Sequence, residues 1–106
     1  MPRKNVENTL DTLIIALCLD YARRQKAIEE HSASKRTDTE FRYYNFKIFD
    51  AAAEIVGERF AVRYIEEIGG RVGYAKSSLD CVSEITYKNY KRMIKDNIAK
   101  KLHLCD

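Results

Sequence analysis

The sequence predicts an all-α fold, a compact bundle of four to five helices with a helix-turn-helix-like C-terminal part. Three observations lead there. Apolar residues recur at three- and four-residue steps through most of the chain. The only proline is Pro2, so no interior position breaks a helix. No segment alternates apolar and polar residues at the period of a strand. With 106 residues, the chain fits one domain, 1–106, able to bury a core without disulfides or metal. Residues 1–60 form its helical N-terminal part and 61–106 the helix-turn-helix-like part.

The first helix is expected from Leu10 to Glu30. Asn8 or Thr9 would cap it, and Asp11 suits the positive end of the helix dipole. Leu10, Leu13, Ile14, Leu17, Cys18, Tyr21 and Ile28 mark its inner face. Residues 31–39, HSASKRTDT, are polar and read as a loop. Thr37 and Glu40 have capping-box spacing, so a second helix should begin near Asp38 or Thr39 and run to Gly57. Phe41, Tyr44, Ile48, Ala52 and Ile55 form one of its stripes, and Tyr43, Phe46, Phe49 and Ala53 another. A helix apolar around most of its circumference is central, or also meets a second subunit. The run Ala51–Ala53 would let a neighbouring helix approach closely.

Gly57 is a helix stop. A third helix follows from Glu58 to Ile68, with Phe60, Ala61, Tyr64, Ile65 and Ile68 inward and Gly69-Gly70 at its end. Ser77 or Ser78 would start a short helix reaching Val82, and the last helix runs from Glu84 to Leu102.

Composition narrows the function classes. The longest apolar run, Leu13–Leu19, is far too short to span a bilayer, and the start MPRKNVENTL lacks a signal peptide's apolar core. Cys18, Cys81 and Cys105 are odd in number and contain no Cys-x-x-Cys pair, which suits reduced thiols. The expectation is a cytoplasmic protein with no membrane partner. Enzyme chemistry finds no footing. His31 and His103 have no nucleophile at a diagnostic spacing. His103-x-Cys105 lacks the second ligand pair of a metal site, so no metal or cofactor is expected. The glycines around Arg71 lack the spacing of a phosphate loop. Glu66-Glu67 and Glu29-Glu30 read as solvated surface pairs.

The charge is unevenly placed. Residues 1–85 hold 13 Lys/Arg and 14 Asp/Glu, whereas residues 86–106 hold six bases against two acids. The surplus points to a polyanionic partner. At about 100° per residue from Lys88, the bases Lys91, Lys95 and Arg92 fall at about 300°, 340° and 40°. On the same wheel Tyr90, Ile94, Tyr87 and Ile98 fall at about 200°, 240°, 260° and 280°, on the core side. Four bases thus share one face. A basic face on the last helix of a small helical domain suits a major-groove reader, whose Lys and Arg neutralise phosphates. A Lys-rich face serving solubility alone is the plainer alternative.

Residues 62–102, VRYIEEIGGRVGYAKSSLDCVSEITYKNYKRMIKDNIAKKL, carry a resemblance. RYIEEI, AKSSLDCV and SEITYKNYKRMIKDNIAKKL resemble the successive helices of the C-terminal helix-turn-helix of sigma-factor-like phage and mobile-element regulators, the ArpU/RinA type, itself similar to region 4 of sigma-70 factors. The resemblance is confined to this stretch; residues 1–60 match only in being helical and charged. It departs from the family at the turn, where Cys81-Val82-Ser83 replaces the usual glycine-containing stretch.

The combined expectation is a small DNA-binding transcription regulator of phage or mobile-element type, acting on double-stranded DNA. Lys88, Lys91, Arg92 and Lys95 would contact phosphates. Thr86, Tyr87 and Asn89 would reach bases, and Arg71, Lys76, Ser77 and Ser78 would hold backbone phosphates. A homodimer would suit paired half-sites. The alternative is a protein-binding inhibitor or adaptor using the aromatic face of residues 41–49. A purely structural helical subunit stands behind both.

Overall fold

Helix formation begins well before the first capping candidates. The computed structural model describes residues 2–79 and 82–104, with side chains described from residue 9 onward. Its elements are α1 (Pro2–Leu19), α2 (Tyr21–Glu30), α3 (Lys35–Val56), α4 (Glu58–Gly69), a 3-10 turn (Tyr74–Lys76) and α5 (Glu84–Lys101). No strand occurs among the described residues. The bundle is all-α, as predicted. Cys81 and Cys105 lie outside the described residues.

The expected first helix is α1 and α2 together, broken at Asp20. Asn8 and Thr9 lie inside α1, so neither is its N-cap. Asp20 and Arg24 make the break orderly. The Arg24 guanidinium is 3% exposed and donates to the Leu17 carbonyl, to Asp20 and to the Asn45 side chain. Asn45, equally buried, returns its amide to the Tyr21 carbonyl at 3.1 Å. Burial pulls the Arg24 pKa down, and the Asp20 carboxylate opposes that shift. Each guanidinium nitrogen meets an acceptor, which a buried cation requires. The knot fixes the α1–α2 joint against α3.

The start of α3 differs by three to four residues from expectation. Ser34, not Thr37, is the N-cap: its Oγ accepts from the Thr37 backbone N–H at 3.3 Å. Lys35, Arg36 and Thr37 therefore belong to the helix. At the other end, Gly57 stops α3 as predicted. Its φ of +86° is open to glycine and strained for other residues.

α3 is the central helix, packing against α2, α4 and α5, while α1 lies on α4 and α5. Ala51 and Ala52 are fully buried and let these neighbours come close. Ile14, Cys18, Ile48, Ile65, Ile68, Tyr87, Ile94 and Ile98 fill the space between. Burial pushes the Cys18 thiol up to about 12, only partly offset by Arg24 and Lys95, so it stays protonated near neutral pH. Gly69 contributes by what it lacks. A Cβ there would stand 2.5 Å from the Leu19 backbone nitrogen and 2.8 Å from the Cys18 carbonyl carbon. The backbones of α1 and α4 can meet at this point only because the side chain is absent.

The left-handed residue ending α4 is Arg71, at φ +53°, and not a glycine. The Val72 N–H returns to the Glu67 carbonyl at 3.0 Å and the Arg71 N–H to the Ile68 carbonyl at 3.2 Å, closing the helix.

Candidate nucleic-acid interface

The short helix expected at Ser77–Val82 is not formed at its described residues. A 3-10 turn at Tyr74–Lys76 precedes it, and Ser77 and Leu79 are irregular. The cause is Glu67. This carboxylate is 8% exposed, where a solvated surface acid was expected. It accepts from Ser77 Oγ (2.5 Å), Ser78 N–H (3.1 Å), Ser78 Oγ (2.9 Å) and the Tyr87 hydroxyl (2.6 Å). Burial acts to raise its pKa. The hydrogen bonds from Ser77, Tyr87 and Ser78 outweigh burial and hold the carboxyl below its ordinary value. Tyr87, conversely, is raised to about 12 by burial and by its bond to Glu67. Both serine hydroxyls are thus bonded to a buried acid, where phosphate contacts were expected. Tyr87, at 1% exposure, cannot reach a base. Its ring packs against Tyr64 and Tyr74, with centroids 5.8 and 5.6 Å away.

This latch folds the segment after α4 across the first half of α5. The Tyr74 hydroxyl donates to the Val82 carbonyl at 2.7 Å, just ahead of the Ser83 cap. Ser83 Oγ accepts from the Thr86 N–H at 3.2 Å, so α5 begins where the sequence places it. Thr86 is half-buried and also receives the Ser83 hydroxyl, which occupies it in the cap.

The four-base face divides. Lys91 is half-buried. Its ammonium donates to the Val72 carbonyl at 2.7 Å and stands 5.0 Å from the Tyr87 ring centroid. Desolvation, then Lys95, lowers its pKa. Lys95 bonds Asp11 of α1 at 2.8 Å. Both are tied into the fold. Lys88 and Arg92 stay exposed. The Lys88–Glu84 pair, 3.5 Å apart with both side chains well exposed, is weak and easily exchanged.

Among the exposed residues of α5, Ile85, Lys88, Asn89 and Arg92 are spaced i, i+3, i+4, i+7 along one stripe. Ile85 is 74% exposed, the most exposed of the large apolar side chains described. It is absent from the residues expected at the interface, although a sequence signal exists. Ile85 falls at about 60° on the Lys88 wheel, away from the core residues at about 200–280°. Beside this row, the Val72 carbonyl meets Lys91 and brings exposed Arg71 alongside α5, and exposed Lys76 sits in the 3-10 turn. Of the residues expected at the interface, Arg71, Lys76, Ser78, Lys88, Asn89 and Arg92 are exposed, Tyr87 is buried, and Lys91, Lys95, Thr86 and Ser77 are half-buried and bonded within the fold.

A second exposed surface lies on α3. Phe46 is 65% and Tyr43 45% exposed, and Phe46 borders a cleft of about 330 Å³ shared with Tyr21, Gln25, Ile28 and Phe49. No family model matches the chain, and neither a curated protein nor a solved structure does. No helix among the described residues is long and apolar enough to cross a membrane.

Proposed function

We propose that the protein is a small DNA-binding, transcription-regulatory protein that lays the outward stripe of α5 in the major groove. The observation that carries this is the uncovered row Ile85–Lys88–Asn89–Arg92 on the first half of a Ser-capped helix. Two turns of helix span about 11 Å, enough to pass about three base pairs. Lys88 and Arg92, with Arg71 and Lys76 on the segment that packs on α5, supply the cations that neutralise phosphates. The Glu67 latch holds that neighbouring segment in place, so the cations stand on a rigid frame. The acidic Glu84 and Asp96 bound the stripe at its two ends. The resemblance to sigma-factor-like phage regulators over residues 62–102 points the same way for α4 and α5, although AKSSLDCV, which it would make the first motif helix, is not helical at its described residues. The salt dependence of duplex binding, with and without Lys88 and Arg92, tests it.

The exposed aromatics of α3 favour a second reading, a protein-binding adaptor. Phe46 and Tyr43 project where the bundle leaves them uncovered, and large aromatics on a surface commonly anchor partners. A homodimer through that face would also pair two DNA readers. Loss of a partner, or of self-association, in Phe46→Asp with DNA binding retained would separate the two surfaces.

A further inference from the structure

We infer that the α5 stripe reads a short A·T-containing run, with Ile85 packing on a thymine methyl and Asn89 pairing with an adenine edge about two base pairs away. The inference rests on the DNA-binding reading and adds to it which bases are recognised.

Ile85 is the departure from an otherwise ordinary surface. Its branched side chain stands 74% exposed in the first turn of α5, while the apolar side of that helix faces the core through Tyr87, Ile94 and Ile98. The thymine C5-methyl is the apolar group among the base-edge features of the major groove, so an apolar side chain on a groove-facing helix has one natural complement. Asn89 lies one turn on and is also exposed. Its amide matches adenine N6 and N7 in a bidentate pair. Four residues advance the helix by about 6 Å, close to two base-pair steps of about 3.4 Å each, so the two side chains address base pairs two steps apart. Lys88 and Arg92 are on the edge nearer the Val72 segment, where Lys91 meets it. On the helical wheel the cations, at about 0° and 40°, lie on that flank, and the two readers, at about 60° and 100°, lie beside them.

Three short duplexes test the inference: alternating dA–dT, alternating dA–dU, which lacks the methyl, and alternating dG–dC. The wild-type chain should bind dA–dT about fourfold more tightly than dA–dU, the worth of one buried methyl-sized group. It should prefer dA–dT over dG–dC by about tenfold. Ile85→Ala should bind dA–dT and dA–dU alike, and Asn89→Ala should lose the preference over dG–dC. Both positions are exposed, and unchanged circular dichroism establishes that the variants fold. Equal, salt-dependent binding of the wild-type chain to all three duplexes would overturn the base readout and leave DNA binding standing. Methyl discrimination that persists in Ile85→Ala would overturn it too. Binding to none of the duplexes would remove both readings and leave Ile85 to a protein partner.

Discussion

The Lys91 ammonium is bonded to the Val72 carbonyl at 2.7 Å, which turns the most central base of α5 into a structural tie. A lysine held this way joins the segment after α4 to the last helix. Lys91→Met should keep its packing over Tyr87 and bind duplex DNA within about twofold of wild type, because the proposed reading gives phosphate neutralisation to Lys88 and Arg92. A fluorescence-anisotropy titration measures this. A tenfold loss would return Lys91 to the interface.

Glu67 gives the fold a defined acid sensitivity. Its folded pKa lies below the ordinary carboxylate value, so the native state favours the ionised form. Stability from this group is present above the unfolded pKa of about 4.3 and is lost as pH falls through the folded pKa. The melting temperature should hold from pH 7 to about 5 and decline below about 4, with a shallower decline in Glu67→Gln. At neutral pH that variant should lose about 1–3 kcal/mol, since a buried acceptor for Ser77, Ser78 and Tyr87 is replaced by an amide that must also find acceptors. Thermal melts across the pH range check both statements.

Gly69 should tolerate no side chain. Its absent Cβ would meet the α1 backbone at Leu19 and Cys18, where no flexible side chain can give way. Gly69→Ala should destabilise by about 1–3 kcal/mol through forced separation of α1 and α4. Gly70→Ala, whose nearest contacts are 3.3 and 3.5 Å and whose φ is −81°, should cost far less. Urea unfolding of the two variants distinguishes a packing role from a simple helix stop.

Arg71 sits in the left-handed region, where an ordinary side chain is strained and glycine is not. Arg71→Gly should therefore raise stability by roughly 0.5–1 kcal/mol and, with one cation fewer beside α5, lower DNA affinity. Opposite signs in the two measurements would show that this position trades conformational ease for charge. A parallel loss of both would mean that the arginine holds the turn itself.

Much of this fold was legible in the chain because helical periodicity is a local signal. The stop at Gly57, the span of α4 and the start of α5 at Ser83 followed from residue types and spacing alone. Three features did not, and each depends on partners distant in sequence. Arg24 and Asn45 look like surface residues until α2 packs on α3 and they bond each other at 2.8 Å. Glu67 looks like half of a solvated acidic pair until Tyr87, twenty residues away, donates to it. The same carboxylate explains why the described residues of the expected Ser77–Val82 helix are irregular, because hydroxyls that read as helix caps are drawn to Glu67. The candidate interface suffered likewise. A helical wheel groups Lys91 and Lys95 with Lys88 and Arg92, but it does not show that Val72 and Asp11 approach from other elements and claim two of the four.

The most direct test of the central claim is binding to a generic DNA duplex over a salt series, for the wild-type chain and for Lys88→Glu/Arg92→Glu. The wild-type chain should lose affinity steeply as salt rises. The double variant should bind more weakly at low salt with a log–log slope smaller in magnitude by about 1.8, the equivalent of two phosphate contacts. Circular dichroism should be unchanged, since both side chains are exposed. No salt-dependent binding by the wild-type chain, or an identical slope after the double reversal, would contradict the assignment of the α5 stripe as a DNA-binding surface.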